Sequence, residues 1–409
     1  MGLRVLMFGW EFPPHNSGGL GVACEGLSEA LVEHDLDLLF VLPQRFEIPD
    51  SKVKFVYPKE GSLKNITYAY VHSNLNPYIS STNRIKQESS GEITVKRDSD
   101  KVDLIGEVLK YEARATDIAK QEDFDVIHAH DWLSFGAGIA AKKATGKKLI
   151  VHIHATEFDR SGEHPHPFIF NKEKEGFEAA DKIIAVSGYT KNIVVQKYGI
   201  PASKVMVVHN GIDPRRSTSQ NITEEKLASF KQQGKKIVLF LGRLTLQKNP
   251  DGLLKAAKEV TRLYPNVVFI FAGSGDMQEQ LIEEAVGHGL SDKVFFPGFV
   301  RGDEKIALFK SADLFVMPSL SEPFGLVALE SLLNETPVLI SKQSGVSEAV
   351  NHALKVDFWD TKDMANKIIT VLKYRSLKKT LTENGTREAW EVSWKRAAEK
   401  IVDIYKDHV

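Results

Sequence analysis

Short apolar runs rich in β-branched residues, each followed by a stretch of helical periodicity, constrain this chain more than any other feature of it. One set lies at residues 3–8, 126–129, 149–153, 182–186 and 205–208, and a second at 236–241, 267–272, 314–317 and 338–340. A continuous apolar run of four to eight residues, without polar alternation, is the pattern of a strand buried on both faces, as in a parallel sheet. Strands that alternate with helices predict an α/β chain of two doubly wound sheets. At 409 residues the chain is long enough for two cores of ordinary size. The sequence turns polar around Pro214, Arg215, Arg216, Ser217 and Thr218, which reads as an interdomain linker. The expected division is therefore 1–213, a linker at 214–234, 235–388, and a C-terminal helix at 389–409 that packs back on the first domain. That helix carries Trp394, Ala397, Ala398, Ile401, Ile404 and Tyr405 on one stripe, so it needs a surface to cover. A second polar tract at 73–101 has little periodicity and reads as a long excursion from the first domain.

Composition narrows the class. Hydrophobic residues make up 42% and charged residues 26%, the balance of a packed globular protein. The 53 Lys and Arg nearly cancel the 54 Asp and Glu, so no global field exists to hold a nucleic acid. The single cysteine, Cys24, rules out an internal disulfide and a multi-cysteine metal site. The residues after Met1 enter an apolar strand directly, without the pattern of a signal peptide, and no apolar run approaches the roughly 18 residues of a membrane span. A cytoplasmic protein with no membrane span is expected.

In a doubly wound sheet, ligands bind beyond the carboxyl ends of the strands, and the polar motifs of this chain fall there. Gly18-Gly19-Leu20-Gly21 follows the first strand and opens a helix, so backbone N–H groups can approach a phosphate; a tight turn with close helix packing is the alternative. Gly242-Arg243-Leu244-Thr245-Leu246-Gln247-Lys248 sets two cations five residues apart at a strand end, a pair able to neutralise a diphosphate. Between Glu322 and Glu330, two carboxylates bracket Gly325 and an apolar run. Glu330 can accept both hydroxyls of a ribose while the N–H groups of Gly325 and Leu326 face phosphates. His128, His130 and Asp131 end one strand, and His152 and His154 the next. Alternating histidines share a face and suit a metal. A metal is discounted because the cationic pair serves the diphosphate and no His-Glu-x-x-His pattern is present.

Taken in order, these motifs resemble those of the retaining glycosyltransferases of family GT4, with the GT-B fold, and within it the glycogen and starch synthase-like branch. The resemblance runs from Gly9-Trp10-Glu11-Phe12-Pro13-Pro14 through HAHDW at 128–132, HATEFDRSGE from His154, NGID at 210–213 and GRLTLQK at 242–248 to the pair Glu322 and Glu330. It implies two Rossmann-like domains facing across a cleft, the first on the acceptor side and the second holding a nucleotide-sugar. It further implies that Arg243 and Lys248 hold the donor diphosphate, Glu330 the ribose and Glu322 the sugar hydroxyls, with Gly18 and Gly19 closing over the phosphates. His154 would lie against the reacting centre, and Asp131 on the sugar or acceptor side. The implied reaction is metal-independent, retaining transfer of a hexosyl unit, glucosyl by preference, from a UDP- or ADP-sugar to an α-glucan or oligosaccharide, with no cofactor. Glycogen synthases of bacteria carry a Lys where Asn16 stands, so the donor base stays open, as do sucrose, trehalose and cell-surface saccharides as products. A nucleotide-sugar epimerase and a non-catalytic sugar-nucleotide binder are the alternatives from other classes.

Overall fold

A computed structural model describes residues 2–13, 18–34, 36–43, 54–56, 104–214 and 225–409. Asn16 and the tract 73–101 lie outside the described residues. By internal contacts the chain forms two units: residues 1–208 with 394–409, and residues 209–393. The helix Glu225–Gln232, inside the stretch read as linker, belongs to the second unit, and so do residues 389–393.

In unit 1 the strands are β1 (Arg4–Phe8), β2 (Asp37–Val41), β3 (Lys54–Val56), β4 (Val126–His130), β5 (Lys148–Ile153), β6 (Lys182–Ala185) and β7 (Val205–Val207). They form one parallel sheet in the order β3-β2-β1-β4-β5-β6-β7. The central strands are apolar because both faces are covered: Val5, Leu6, Met7 and Phe8 are all fully buried. Helix Asp131–Thr145 lies over the sheet and stops at Gly146, whose φ of +72° is the left-handed cap that favours glycine. The C-terminal helix Trp394–Lys406 buries Trp394, Ala397, Ala398, Ile401, Val402, Ile404 and Tyr405 and packs on helix Gly19–Val32. Gly26 makes that approach close, since a Cβ there would stand 2.2 Å from Trp394 Nε1.

Unit 2 has β8 (Lys236–Leu241), β9 (Val267–Ala272), β10 (Val294–Gly298), β11 (Leu314–Met317), β12 (Val338–Ser341) and β13 (Leu354–Val356). They too are parallel, in the order β10-β9-β8-β11-β12-β13. Its core joins Val238, Phe240, Phe269, Phe271, Leu314 and Val316 to the apolar stripe of helix Pro250–Leu263. In each sheet the chain winds outward one way from the central strand and then returns to wind the other way. The reversal falls between β1 and β4 in unit 1, and between β8 and β11 in unit 2.

Four strands are not among the runs read from sequence: β2, β3, β10 and β13. The β2 segment follows helix Gly19–Val32 after a short turn, so its apolar residues merge with those of the helix. The β10 segment ends in Pro297-Gly298, and β3 and β13 have three residues each.

The loop after β8 is clamped by the turn after β9. Gly242 N–H donates to Ala272 O at 3.0 Å, and Leu244 N–H to Ser274 O at 2.9 Å. Gly273 has φ +135°, and a Cβ there would stand 1.9 Å from Gly242 O. Gly273→Ala is expected to destabilise the chain by at least about 2 kcal/mol, from backbone strain plus a clash with main chain that cannot yield. Gly146→Ala, left-handed but with nothing within 4 Å, should cost only about 1 kcal/mol. Urea-induced unfolding of the two variants checks the ranking.

Candidate active site

Each unit carries a polar cluster at its own strand reversal. In unit 2, the loop 242–248 leaves β8 and the segment 318–325 leaves β11. Lys248 Nζ lies 2.5 Å from Glu322 Oε2, which also accepts from Ser319 Oγ at 3.0 Å. Both side chains of the ion pair are largely buried, Lys248 at 19% and Glu322 at 10% exposure. Arg243 Nη2 donates to Gln247 Oε1 at 3.3 Å, and Gln247 Nε2 donates to Ser321 O at 3.1 Å. The two cations of the sequence motif are thus tied to the β11 loop through Gln247 and Glu322. Main chain holds that loop in place: Glu322 N–H donates to Gln343 O and Gly345 N–H to Glu322 O. Asn249, in the left-handed region at φ +55°, donates from Nδ2 to Pro318 O and Phe358 O at 3.0 Å each.

Glu330, on helix Leu326–Leu333, pairs with Lys305 Nζ at 2.8 Å. Gly325 precedes that helix, which has no side-chain cap. The fold accounts for this glycine without a ligand, because its φ is +106° and a Cβ would lie 2.8 Å from Met317 Cε. The Gly pair of unit 1 divides differently. A Cβ on Gly18 would meet Glu11 Oε2 at 2.9 Å, whereas among the described residues nothing lies within 4 Å of one on Gly19. A side chain at the first glycine would displace the Glu11 carboxylate, whereas among the described residues nothing crowds the second.

In unit 1, β4 and β5 run in register with His130 opposite His152, so His128, His130 and His152 rise from one face, with His154 just beyond β5. All four are buried and stacked, with ring centroids 4.3 Å apart for His128 and His130 and for His152 and His154. His128 Nδ1 meets Tyr405 Oη at 2.5 Å, and His130 Nδ1 meets His154 Nε2 at 2.9 Å. Burial pushes His128 and His154 down to about 3 and holds His130 and His152 well below the usual value, so the rings are neutral. Asp131 has φ +56°, uncommon for a non-glycine residue, and its Oδ1 accepts His154 N–H at 2.6 Å. That bond ties the end of β4 to the end of β5.

Sequence reading missed Arg160, Glu173, Ser319, Gln247, Lys305 and Tyr405, which support the cluster residues, Ser319 and Gln247 from a few positions away and the others through partners distant in sequence. Arg160 lies 3.8 Å from Asp131 Oδ2, 3.8 Å from Glu157 Oε2 and 3.3 Å from Glu173 Oε1. One guanidinium cannot offset that many buried carboxylates. Burial therefore pushes Glu173 up to about 8, although Arg160, Tyr198 O–H and Glu157 N–H all favour its charged form.

The geometry defines a two-unit α/β protein with polar clusters at both topological switch points, the architecture of a sugar-transferring enzyme. The family models agree: one described as Glycosyltransferase Family 4 matches residues 17–216, and one described as Glycosyl transferases group 1 matches residues 221–388. The chain is 30% identical over 313 residues to a D-inositol 3-phosphate glycosyltransferase of Salinispora arenicola, covering 70% of this chain and 69% of the relative. It is 28% identical to a glycogen synthase of Mycobacterium tuberculosis, over 85% of this chain and 80% of the relative. An uncharacterised glycosyltransferase of Methanocaldococcus jannaschii is 28% identical over 99% and 98%. Among solved structures, Anabaena HepE in complex with UDP and glucose superposes with a TM-score of 0.70 at 19% identity, covering 99% of this chain and all of that one. Sucrose-phosphate synthase of Thermosynechococcus elongatus gives 0.73 at 18%, over 99% and 98%. The protein is a glycosyltransferase with the GT-B fold. It belongs to family 4 of these enzymes, with a group 1 domain as its second unit.

A raised carboxyl pKa has a defined sign. Between the ordinary 4.5 and about 8 the folded state binds a proton that the unfolded state has lost, so Glu173 contributes stability at low pH that is lost as pH rises through that window. Glu173→Gln, neutral throughout, is expected to gain thermal stability relative to the parent as pH is raised from 6 to 9. Melting curves of both proteins at the two pH values test this, and a constant offset would refute it.

Proposed function

We propose that the protein transfers a hexosyl unit, glucosyl by preference, from a UDP- or ADP-sugar to an α-glucan or oligosaccharide, with retention at the anomeric carbon. The observation that carries this reading is the cationic loop after β8, where Arg243 and Lys248 are tied to the β11 loop that bears Glu322. Such a loop suits a diphosphate. Glu322 holds the Lys248 ammonium in the absence of substrate, and an arriving phosphate competes for that charge. Two cations neutralising the departing diphosphate make a metal ion there unnecessary, and no further cofactor is assigned. Their main contribution is electrostatic, stabilising charge that grows on the leaving oxygen as the glycosidic bond breaks. That oxygen can accept the proton of the acceptor hydroxyl on the same face, which gives retention.

Glu330 is assigned to the ribose and Glu322 to the sugar hydroxyls, with N–H groups at Gly325 and Leu326 directed to phosphate. Gly18 and Gly19 are assigned to the phosphates, a role that the lack of any described neighbour within 4 Å of a Cβ at Gly19 supports. His154, neutral and with Nε2 already bonded to His130, offers Nδ1 to a sugar hydroxyl, and Asp131 positions it through the His154 N–H. Kinship with a mycobacterial glycogen synthase supports the glucan acceptor. The 30% kinship with an inositol-phosphate transferase favours a small phosphorylated acceptor as the second reading. Among the described residues no helix is long and apolar enough to cross a membrane, which agrees with action in the cytoplasm on a soluble acceptor.

A donor-by-acceptor matrix decides between these readings. UDP-glucose and ADP-glucose are each incubated with glycogen, maltooligosaccharides and inositol 3-phosphate, and nucleotide release and product linkage are followed. Turnover on a glucan with an α-linked product supports the first reading; turnover confined to the inositol phosphate replaces it with the second. Lys248→Ala and Glu322→Ala are each expected to reduce turnover by at least about 100-fold, the scale for loss of an electrostatic stabiliser. Near-normal rates in both variants would remove the assignment.

A further inference from the structure

We infer that His128, His130 and His152 bind a single divalent ion of the zinc class on the buried face of the unit 1 sheet. The three imidazoles come from adjacent strands in fixed register, and none is more than 1% exposed. Their ring nitrogens divide in a telling way. Nδ1 of His128 is engaged by Tyr405 Oη and Nδ1 of His130 by His154, while Nε2 of both, and both nitrogens of His152, have no hydrogen-bond partner among the described residues. An unpartnered buried polar atom costs about 1–3 kcal/mol, so four in one cluster call for a common explanation.

In His128 and His130 the division is the one that metal-binding histidines show, one nitrogen for the ion and the other oriented by a polar neighbour, while His152 has both nitrogens to offer. One nitrogen from each of the three rings lies within 4.8 Å of the other two. The centre of such a triangle is at most about 2.8 Å from its corners, so each ring needs to move inward by roughly 0.7 Å to reach the zinc–nitrogen distance of about 2.0–2.1 Å. Side-chain torsion supplies that displacement without moving a strand. Asp131, next in sequence to His130, is a buried carboxylate to set against the ion's charge. The cations that serve a diphosphate lie in unit 2, and ligands drawn from two adjacent strands need no His-Glu-x-x-His helix. Here the ion would be structural: it fixes His130, and through the His130–His154 bond it orients the ring assigned to the sugar.

The full chain, stripped with a chelator and titrated with Co²⁺, is expected to develop the visible d–d bands of a four-coordinate ion, saturating at a single equivalent. His152→Gln should abolish the bands, and Tyr405→Phe should weaken binding by roughly 10–100-fold, the effect of losing an orienting neighbour. Binding of UDP, measured in each variant, reports whether unit 2 remains folded and tests the donor site separately. The inference is overturned if the parent protein shows no such bands with excess cobalt, or if His152→Gln binds with the parent's stoichiometry and affinity. Loss of UDP binding in a parent protein that still takes up cobalt would overturn the donor assignment instead.

Discussion

The reversal of strand order at the centre of each sheet is the constraint on which the rest of the structure depends. Where neighbouring parallel strands send their connections to opposite sides, their carboxyl-end loops diverge, and polar groups there need not compete with a covering helix. In unit 1 this position is shared by the ends of β1 and β4, which carry the segment from Gly9 to Pro13 and the pair His130 and Asp131. In unit 2 it is shared by the ends of β8 and β11, which carry the loop 242–248 and the segment leading to Gly325. The central strands are largely apolar and buried, so the polar motifs of each unit gather towards one end of its sheet.

Much of this was legible in the sequence because it is local. A continuous β-branched run signals a strand covered on both faces, and a polar motif immediately after it falls at the carboxyl end by necessity. Partnerships across long separations left no such mark. Tyr405 and His128 stand 277 positions apart, and Lys305 and Glu330 occupy different helices, yet these contacts fix the side chains that the motifs contain. The clamp on the β8 loop did leave a trace, Gly273-Ser274-Gly275 after β9, whose glycines are needed because the main chain of Gly242 and Leu244 passes within van der Waals distance. Glycines in motifs were the least readable residues of the candidate site. Gly18, Gly19 and Gly325 look alike in sequence, but the first sits against the Glu11 carboxylate, the second against nothing described, and the third is required by its backbone angle.

The two units solve the problem of buried polarity in different ways. Unit 2 gives each cation of its motif a polar neighbour: Glu322 for Lys248, and Gln247 for Arg243. In unit 1 burial keeps the imidazoles neutral, and where carboxylates crowd around Arg160 it raises the pKa of the most deeply buried of them, Glu173. Tyr198 donates its hydroxyl to Glu173, so the stacked rings of Phe170 and Tyr198 are anchored to the same polar knot.

This difference bears on how each unit can respond to a substrate. An ion pair such as Lys248 and Glu322 is maintained by a balance of Coulomb attraction against desolvation, and a polyanion arriving beside it changes that balance directly. Neutral stacked rings gain little from a distant charge and hold their geometry through packing and the bonds to Tyr405 and Asp131. A polar cluster whose charges are matched to exchangeable neighbours can admit an anion without leaving a buried charge bare, whereas rings held by packing and by fixed hydrogen bonds keep one orientation whatever charge approaches.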